Sequence, residues 1–375
     1  MKKQINVAII GAQFMGKAHS NAWFDVSRFY DLPFEVNMKI ACDINPDSEN
    51  GFAKKLGWEK FEPSWEKVVS NPEIDIIDIC TPNNLHQIIA VAAAKAGKHV
   101  ICEKPLAMNA GEAKLMYEAA EKNGVKNLTG FNYRRVPAIS LARQMIDAGK
   151  IGKVHHFNAV YYQDWLVDPE FPYVWRHDAE LAGSGAHGDM NAHTVDLAHF
   201  LVGEIDSVCG DNKVFIEERN IPGTRRKEKV TADDSSMFMA RFNNGALGNF
   251  IATRFATGRK NYLRLEIFGS KGSLGFNLES MNELEYYSTS DNNTEQGFRK
   301  ILVTESNHPY LKKWWPAGHI IGWEHTFIHE IGDFLLAISD NSPIKPDFYD
   351  GYLCQVVLDA VSNSAARKSW VQIVN

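Results

Sequence analysis

The fold is decided near the N-terminus by residues 5–16, which read INVAIIGAQFMG. Five of the first six residues are apolar and predict a strand, and Gly11 and Gly16 bracket the turn into a helix-like segment. At such a turn, backbone N–H groups at the helix N-terminus bind the phosphates of a dinucleotide. Gln13 replaces the middle glycine that normally lets the phosphates approach closely. Taken alone, the turn predicts either nucleotide binding or a plain strand–helix connection.

The first third of the chain alternates between strand-like and helix-like segments. Short, continuous apolar strands separated by helices are typical of a parallel sheet that helices cover on both faces. We therefore predict an α/β Rossmann domain, a doubly wound parallel sheet, over residues 1–131. The predicted strands span residues 6–10, 39–42, 74–80, 99–102 and 126–131, and the clearest helices span residues 86–96 and 110–122.

The pattern changes after this domain, because the strands now alternate between apolar and polar residues. Leu263, Leu265 and Ile267 are expected to face one way. The intervening Arg264 and Glu266 are expected to face the other way. Such alternation is typical of an antiparallel sheet with one covered face.

A second domain of the α+β class, with a large, mostly antiparallel open sheet, is therefore predicted over residues 132–375. One face of this sheet is too large for the available helices to cover, which predicts a homodimer or homotetramer. The last helix is expected to pack on this sheet or back on the first domain. Further strands are predicted at residues 154–164, 236–242 and 247–254, and helices at residues 187–201, 321–337 and 349–367.

The composition excludes several classes of protein. Among 375 residues, 45% are hydrophobic and 23% are charged, as in ordinary soluble enzymes. A net charge of -6 leaves no basic excess to neutralise phosphates, which argues against nucleic-acid binding. No apolar stretch has the length of a membrane span, and the N-terminal apolar run is too short for a signal peptide. The five cysteines lack zinc-type spacing and predict free thiols in a cytoplasmic protein.

Asp43 strengthens the case for a dinucleotide. It follows the second predicted strand, where a carboxylate accepts hydrogen bonds from the adenosine ribose hydroxyls. The next residue is Ile44, not an arginine that could pair with a 2′-phosphate. The position favours NAD over NADP as the cofactor. The alternative is a surface aspartate before the turn at Asn45 and Pro46.

Three ordered motifs carry a resemblance to a known family. They are TPNNLH at residues 81–86, EKP at residues 103–105 and GSGAHGDMNAH at residues 183–193. With the glycine turn, they resemble the glucose-fructose oxidoreductase / inositol dehydrogenase / MocA family over nearly the whole chain. The stretches GKAHS (16–20), NYRR (132–135) and QDW (163–165) are similar to the branch with levoglucosan and sugar 3-dehydrogenases.

The resemblance implies a set of cofactor-binding and substrate-binding residues. Thr81, Asn83 and His86 should line the nicotinamide half of the site, with Glu103 and Lys104 beside the ring. The full set of implied cofactor contacts is Gly11, Phe14, Met15, Gly16, Asp43, Thr81, Asn83, His86, Glu103, Lys104, Asn132, Trp175 and Arg176. The expected substrate pocket consists of Lys104, Tyr133, Gln163, Trp165, Asp189 and His193.

Oxidation of a secondary alcohol needs a hydride acceptor and a proton acceptor within reach of the hydroxyl oxygen. Lys104 follows a predicted parallel strand, at the edge where such sheets bind ligands. Burial and the positive nicotinamide both disfavour its charged form, and a cis Lys104–Pro105 peptide would fix its direction. Asp189 and His193 are four residues apart and should project from one helix face. The predicted catalytic residues are thus Lys104, Asp189 and His193, with Lys104 or His193 as the immediate proton acceptor.

Together these features predict an NAD-dependent dehydrogenase that oxidises a secondary hydroxyl of a neutral cyclic sugar, anhydrosugar or inositol. Hydrogen-bonding groups beside aromatic surface suit a ring with several hydroxyls. No arginine is expected in the pocket to pair with a phosphate or carboxylate, unless Arg134 or Arg135 turns inward. An NAD-dependent glycosidase of the same fold and a non-catalytic sugar sensor are the alternatives.

Two further segments have a residue spacing or composition that suggests a chemical role. His325 and His329 have the i, i+4 spacing of a zinc helix, but the glutamate of HExxH is absent between them, so no metal site is predicted. The aromatic segment at residues 308–316 is interpreted either as a loop over the substrate or as core or subunit packing.

Overall fold

The computed structural model describes residues 2–374, which contain nine α-helices and 17 β-strands. The helices are α1 (Phe14–Phe29), α2 (Trp65–Ser70), α3 (His86–Lys95), α4 (Ala110–Asn123), α5 (Pro137–Asp147), α6 (Ala179–Ala182), α7 (Ala192–Leu201), α8 (Glu324–Asp340) and α9 (Phe348–Arg367). The strands are β1 (Lys3–Ile10), β2 (Phe34–Cys42), β3 (Lys60–Glu62), β4 (Ile76–Ile79), β5 (His99–Cys102), β6 (Asn127–Thr129), β7 (Val154–Tyr162), β8 (Ile205–Lys213), β9 (Glu218–Asn220), β10 (Lys227–Lys229), β11 (Ser235–Phe242), β12 (Leu247–Thr253), β13 (Tyr262–Gly269), β14 (Gly272–Asn277), β15 (Glu283–Ser288), β16 (Arg299–Leu302) and β17 (Val371–Gln372).

One compact unit consists of Met1–Arg135 and Ile321–Tyr352. Its centre is a six-stranded parallel sheet with the order β3-β2-β1-β4-β5-β6, which confirms the predicted Rossmann architecture. Strand β1 has β2 on one side and β4 on the other, so the strand order reverses between β1 and β4. Open parallel sheets bind ligands at the carboxyl ends of the strands beside such a switch point.

Local chemistry explains where the helices of this unit begin and end. The Asn109 side chain accepts a hydrogen bond from the Glu112 amide at the start of α4. Gly124 ends the same helix in a left-handed conformation (φ 61°), which favours glycine. The strands β4 and β5 are buried almost throughout, as expected of a sheet with helices packed on it.

The other compact unit consists of Val136–Ile320 and Leu353–Asn375. It contains a nine-stranded sheet with the order β16-β15-β14-β13-β7-β12-β11-β8-β17. All neighbours in this sheet are antiparallel except β7 and β12, which confirms a large, mostly antiparallel sheet. Burial alternates along β13, so that Leu263, Leu265 and Ile267 are buried as predicted.

The structure departs from the sequence-based prediction in several places, three of which concern the Rossmann unit. The first unit is discontinuous, because the segment 321–352 belongs to it and not to the unit that contains the large sheet. Helix α8 was expected to cover the large sheet, but its apolar face, with Phe327, Ile331 and Phe334, is buried in the Rossmann unit, where it packs on α1. Strand β3 was not predicted, since its three residues carry no apolar run. Among residues 2–374, no helix is long and apolar enough to cross a membrane.

Candidate active site

The glycine turn after β1 is built around two close backbone approaches. Gly11 has φ 109°, and a Cβ at this position would lie 2.5 Å from the Cys80 carbonyl oxygen. A Cβ on Gly16 would lie 2.1 Å from the Gly11 carbonyl oxygen. Only glycine fits either position without a shift of the backbone. Gln13, at the N-cap of α1, makes no side-chain cap hydrogen bond, which leaves helix N–H groups for an anionic ligand.

Asp43 lies at the carboxyl end of β2, next to this turn. Its Oδ2 accepts a hydrogen bond from the Ala12 amide at 2.8 Å, and its Oδ1 accepts one from the Asn45 amide at 2.8 Å. A carboxylate oxygen can accept more than one hydrogen bond, so the fixed side chain can still receive ribose hydroxyls. The residues present therefore fit the phosphates and adenosine ribose of a dinucleotide.

The predicted nicotinamide-side residues follow β4. His86 is fully buried, with Nδ1 3.0 Å from the Pro105 carbonyl oxygen and Nε2 3.0 Å from that of Thr81. Burial lowers the pKa of His86, against the hydrogen bonds to the Thr81 and Pro105 carbonyl oxygens, and the ring lies between the segment after β4 and the one after β5. The Thr81 hydroxyl is buried and has no hydrogen-bond partner within residues 2–374, so it is available to a ligand. Asn83 begins a short turn beside it.

Glu103 and Lys104 follow β5 directly. The Lys104–Pro105 peptide is cis, the geometry that was a hypothesis from the sequence. The Glu103 side chain is buried, and its Oε2 accepts a hydrogen bond from the Lys104 amide at 3.2 Å. Lys104 itself is partly exposed. The position of Lys104 at a strand end agrees with its predicted role, whereas a direct contact between Glu103 and the cofactor stays a prediction.

Behind this loop lies a buried cluster that sequence reasoning missed. His19 Nδ1 lies 3.0 Å from both carboxylate oxygens of Asp78, and His19 Nε2 lies 2.9 Å from Glu103 Oε1. Trp23 Nε1 donates to Asp78 Oδ2 at 2.7 Å. The sequence contains one indication of this cluster. Asp78 is a carboxylate inside the apolar strand IIDI, and charged residues are rarely buried without a partner.

His19, Asp78 and Cys80 are the one group of possible metal ligands that comes together within residues 2–374. Burial acts to lower the pKa of His19, but its charge interactions and hydrogen bonds with Asp78 and Cys80 raise the pKa well above the usual value. A doubly protonated imidazole has no lone pair for a metal ion. The arrangement is thus a buried ion pair. His325 and His329, which have the spacing of zinc ligands, each form a hydrogen bond with the backbone. His325 Nδ1 accepts from the Gly322 amide, and His329 Nδ1 lies 3.0 Å from the Arg135 carbonyl oxygen.

Asp189 lies in the unit that contains the large sheet, and it has a partner that the sequence did not indicate. Arg254 is almost fully buried, and its Nη2 donates to Asp189 Oδ2 at 2.9 Å and to the Gly185 carbonyl oxygen at 3.3 Å. The predicted helix at residues 187–201 is a π-helical turn, His187–Asn191, followed by α7. Asp189 is in the turn and His193 in the helix, so their spacing is not that of one regular α-helix face.

Two of the remaining pocket residues of this unit, Gln163 and Trp165, belong to a hydrogen-bonded chain. Trp165 Nε1 donates to Gln163 Oε1 at 2.9 Å, and Gln163 Nε2 donates to Asn261 Oδ1 at 2.9 Å. The Tyr161 hydroxyl also donates to Asn261, at 2.8 Å. The Tyr161 and His193 rings lie 6.1 Å apart. Gln163, Trp165 and His193 are thus connected through Tyr161 and Asn261, neither of which the sequence analysis identified.

Arg254 connects this hydrogen-bonded chain to Asp189, because its guanidinium group contacts both the Trp165 ring and the Asp189 carboxylate. Arg254 Cζ lies 5.1 Å above the Trp165 ring. Arg176 lies over the neighbouring Trp175 ring at 4.3 Å, and burial lowers the pKa of Arg176 against the attraction of Asp189. Two arginines therefore belong to the surroundings of Asp189, where none was expected. A contact of Trp175 and Arg176 with the cofactor stays a prediction.

The 132–135 segment belongs to the Rossmann unit, and its side chains are buried. Asn132 Nδ2 donates to the Thr326 hydroxyl at 2.8 Å. Arg134 pairs with Asp350 and Arg135 with Asp333, and Arg135 Nη1 lies 3.5 Å from Glu330 Oε1. These acidic partners already engage both guanidinium groups. Tyr133 is buried in the same segment, and its place in the substrate pocket stays a prediction.

Aromatic side chains occur at two further predicted positions. Phe14, in the glycine turn, is 64% exposed and stacks on Trp323 with ring centroids 5.5 Å apart. Trp314 and Trp315 have ring centroids 6.4 Å apart, and Trp315 is half exposed. Either interpretation of residues 308–316 is compatible with this exposure.

Comparison with known proteins agrees with both halves of this description. Residues 5–131 match the model of an oxidoreductase family with an NAD-binding Rossmann fold, and residues 139–275 match the GFO/IDH/MocA C-terminal domain. The chain is 41% identical to levoglucosan dehydrogenase of Pseudarthrobacter phenanthrenivorans, over 99% of this chain and 98% of that protein. It is 31% identical to myo-inositol 2-dehydrogenase of Thermotoga maritima, over 88% and 89% of the two chains.

Solved structures give the same result. An oxidoreductase domain protein from Kribbella flavida superposes with a TM-score of 0.97 at 45% identity, over 100% of both chains. A levoglucosan dehydrogenase in complex with NADH and levoglucosan superposes with a TM-score of 0.96 at 41% identity, over 99% of this chain and 100% of that chain. The six-stranded unit is an NAD-binding Rossmann domain. The chain belongs to the glucose-fructose oxidoreductase / inositol dehydrogenase / MocA family of NAD-dependent oxidoreductases.

Proposed function

We propose that this protein oxidises a secondary hydroxyl of a neutral cyclic sugar to a ketone, with levoglucosan as the first candidate and inositols and pyranoses next. The 41% identity to a levoglucosan dehydrogenase over the full chain supports the choice of an anhydrosugar. The observation that carries the proposal is the hydrogen-bonded chain of Trp165, Gln163, Asn261 and Tyr161, because such a chain offers polar groups and an aromatic surface to a polyhydroxylated ring.

Lys104 is the proposed proton acceptor in the Rossmann unit. It stands at the carboxyl end of β5, and its backbone amide donates a hydrogen bond to Glu103. In its neutral form, the Lys104 Nζ accepts the proton of the substrate hydroxyl as the C–H bond breaks. When bound, NAD supplies the carbon that accepts the hydride. His193 is the alternative acceptor, and either residue can pass the proton onward to solvent.

Asp189 and Arg254 make a neutral substrate the favoured one. Arg254 on its own would attract a phosphate or carboxylate, but one of its nitrogens donates to Asp189. The pair has no net charge, so Arg254 offers a sugar phosphate little compensation for the cost of desolvation. Asp189 is the proposed acceptor for a substrate hydroxyl.

A substrate panel with NAD tests the proposed function. Levoglucosan, myo-inositol, scyllo-inositol, glucose, glucose 6-phosphate and lactate are offered at equal concentration, and NADH formation is followed by absorbance. Turnover of at least one neutral ring, with little on the phosphate or on lactate, is expected. Robust turnover of glucose 6-phosphate or lactate, and none on any neutral ring, would contradict the proposal. Cleavage of a glycoside without net NADH release would instead identify a glycosidase.

We further propose that the chain acts as a cytoplasmic homodimer or homotetramer that associates through the large sheet. Met237, Met239 and Leu247 lie on one sheet face and are each about half exposed, which gives the sheet an apolar stripe. All five cysteines are free, as in proteins of a reducing compartment. The Met237→Lys/Met239→Lys double variant should be a monomer by light scattering, whereas a monomeric wild type would contradict the proposal.

In this proposal the two units have different functions. Residues 1–131 bind NAD, and residues 132–375 supply substrate-binding and association surfaces. The segment 321–352 is structurally part of the NAD-binding unit, which supports the idea that a late part of the chain returns to complete the first domain.

A further inference from the structure

The buried His19 connects the first helix of the Rossmann unit with the loop that carries Lys104. It lies on α1, five residues after Phe14, which begins that helix, and only 1% of it is exposed. Its Nδ1 faces Asp78 in β4 and its Nε2 lies 2.9 Å from Glu103 Oε1. The other oxygen of Glu103 accepts the hydrogen bond from the Lys104 amide. A continuous path therefore leads from Asp78 through His19 and Glu103 to Lys104.

Both ring nitrogens of His19 face carboxylate oxygens, and a ring can donate to two acceptors only when it is protonated. Burial acts to lower the pKa of His19, but the charge of Asp78 and hydrogen bonding raise it well above the usual value. His19 is therefore an imidazolium at neutral pH. Its charged and titratable neighbours on the elements packed around it are Asp78, Cys80, Cys102, Glu103, Glu330 and, beyond Glu330, Arg135.

We propose that the His19 imidazolium is a positioning residue for Lys104, which acts by holding the Glu103 carboxyl group in the orientation that fixes the Lys104 backbone. This inference rests on the proposed role of Lys104 as proton acceptor. Glu103 is buried beside Lys104, and without His19 it would be a buried carboxyl group with no cation in contact. The imidazolium neutralises that group and anchors one of its oxygens, so that the other is directed at the Lys104 amide.

Loss of the positive charge on His19 should change the pH dependence of the reaction in one direction. Without the imidazolium, the uncompensated negative charge of Glu103 stabilises protonated Lys104, which is the form that cannot accept a proton. The acidic limb of the kcat/KM–pH profile should then move to higher pH. A role in packing alone predicts lower stability without a movement of this limb.

The test is the pH profile of His19→Gln, measured with a substrate that the wild type oxidises. We expect kcat/KM to fall by up to about 100-fold, the loss that a misplacement of ~1 Å produces. The acidic limb should move upward by roughly 0.5 to 1 pH unit, as the loss of one nearby charge in a partly buried site would cause. Binding of NADH, followed by its fluorescence, should change little. If the wild type oxidises no neutral ring, the proposed function fails; if it does but the limb stays in place, only the role of His19 fails.

Two variants complete the design. Trp23→Phe removes the hydrogen bond to Asp78 on the side away from Glu103, so it should lower the melting temperature and leave the acidic limb in place. His19→Lys keeps a cation between the carboxyl groups, and it replaces His19→Gln if that variant does not fold. Its limb should stay within ~0.3 unit of the wild type. An unmoved limb in His19→Gln, or a moved one in His19→Lys, would overturn the proposal.

Discussion

The two units position their functional side chains in different ways. In the Rossmann unit, Thr81, Lys104 and Asp43 each follow directly after a strand of one parallel sheet, so backbone topology alone collects them at one edge. In the other unit, Asp189 is in a π-helical turn and Arg254 follows β12, and a side-chain ion pair brings them together. The order of the strands therefore brings together the residues of the Rossmann unit. In the other unit, a pair of side chains that are distant in sequence does so.

The largest expected effect concerns the residue at the sheet edge. Lys104→Met should lower kcat by about 100-fold or more, because it removes the proposed proton acceptor and keeps a side chain of similar length. NADH binding should persist, since the turn around Gly11 and the Asp43 carboxylate are untouched. The matched control is Lys95→Met on the exposed end of α3, which should behave as the wild type. Activity of Lys104→Met within a few-fold of wild type would assign the proton to His193, whose alanine variant would then carry the loss.

The second effect is a pH dependence of stability in the Rossmann unit. Burial raises the pKa of Glu330 to about 8, against the attraction of Arg135. Between the ordinary carboxyl pKa of about 4.3 and this value, the unfolded chain is ionised while the folded chain keeps the proton. Stability should therefore fall as pH rises through this window, by up to ~1.4 kcal/mol per unit.

The variant Glu330→Gln should remove that dependence, because an amide stays neutral at all pH values. Urea unfolding at pH 6 and pH 8 compares the two proteins, with Glu324→Gln, an exposed acid at the start of the same helix, as the control. The control should keep the wild-type slope. Equal slopes for Glu330→Gln and wild type would show that Glu330 is ionised in the folded protein.

The contrast between the units also explains what the sequence could predict. The glycine turn, Asp43 and EKP are short local patterns at strand ends, and the structure places them as expected along the sheet edge. The partners of these residues are distant in sequence: His19 and Glu103 are 84 residues apart, and Asp189 and Arg254 are 65 apart. No periodicity signals such a pair, because side-chain pairing depends on tertiary packing.

The alternating strands of the second domain could also be predicted from the sequence, and β13 begins at the predicted Tyr262. The position of α8 could not be predicted, because an apolar helix face does not indicate which surface of the protein it packs against. Its Phe327 and Ile331 would have suited the large sheet as well as they suit α1. The sequence predicts a regular α-helix at His187–Asn191, where the structure has a π-helical turn. The spacing of apolar residues does not distinguish these two kinds of helix.

The third prediction tests the long-range pair directly. Arg254→Gln should destabilise the protein by about 1–3 kcal/mol, because it leaves the Asp189 carboxylate without its cation. The cost is below that of a fully buried pair, since 34% of the Asp189 side chain is exposed to solvent. Arg259→Gln is the matched control, since Arg259 pairs with Glu279 at the surface and should change stability by less than ~0.5 kcal/mol. Chemical denaturation measures both, and equal stability of the two variants would contradict the importance of the pair.

The smallest effect concerns cofactor choice at the edge of the Rossmann sheet. Asp43→Ala removes the proposed acceptor for the ribose hydroxyls and the observed acceptor for the Ala12 amide, so kcat/KM with NAD should fall. The same change removes the negative charge that would repel a 2′-phosphate, so kcat/KM with NADP should rise or stay constant. The ratio of the two values should therefore decrease by about 10-fold, as the loss of one charged hydrogen-bond acceptor would cause. Asp47→Ala, on the exposed turn four residues later, should leave the ratio unchanged. A wild type that uses both cofactors equally, or an Asp43→Ala variant that keeps the wild-type ratio, would show that other residues select the cofactor.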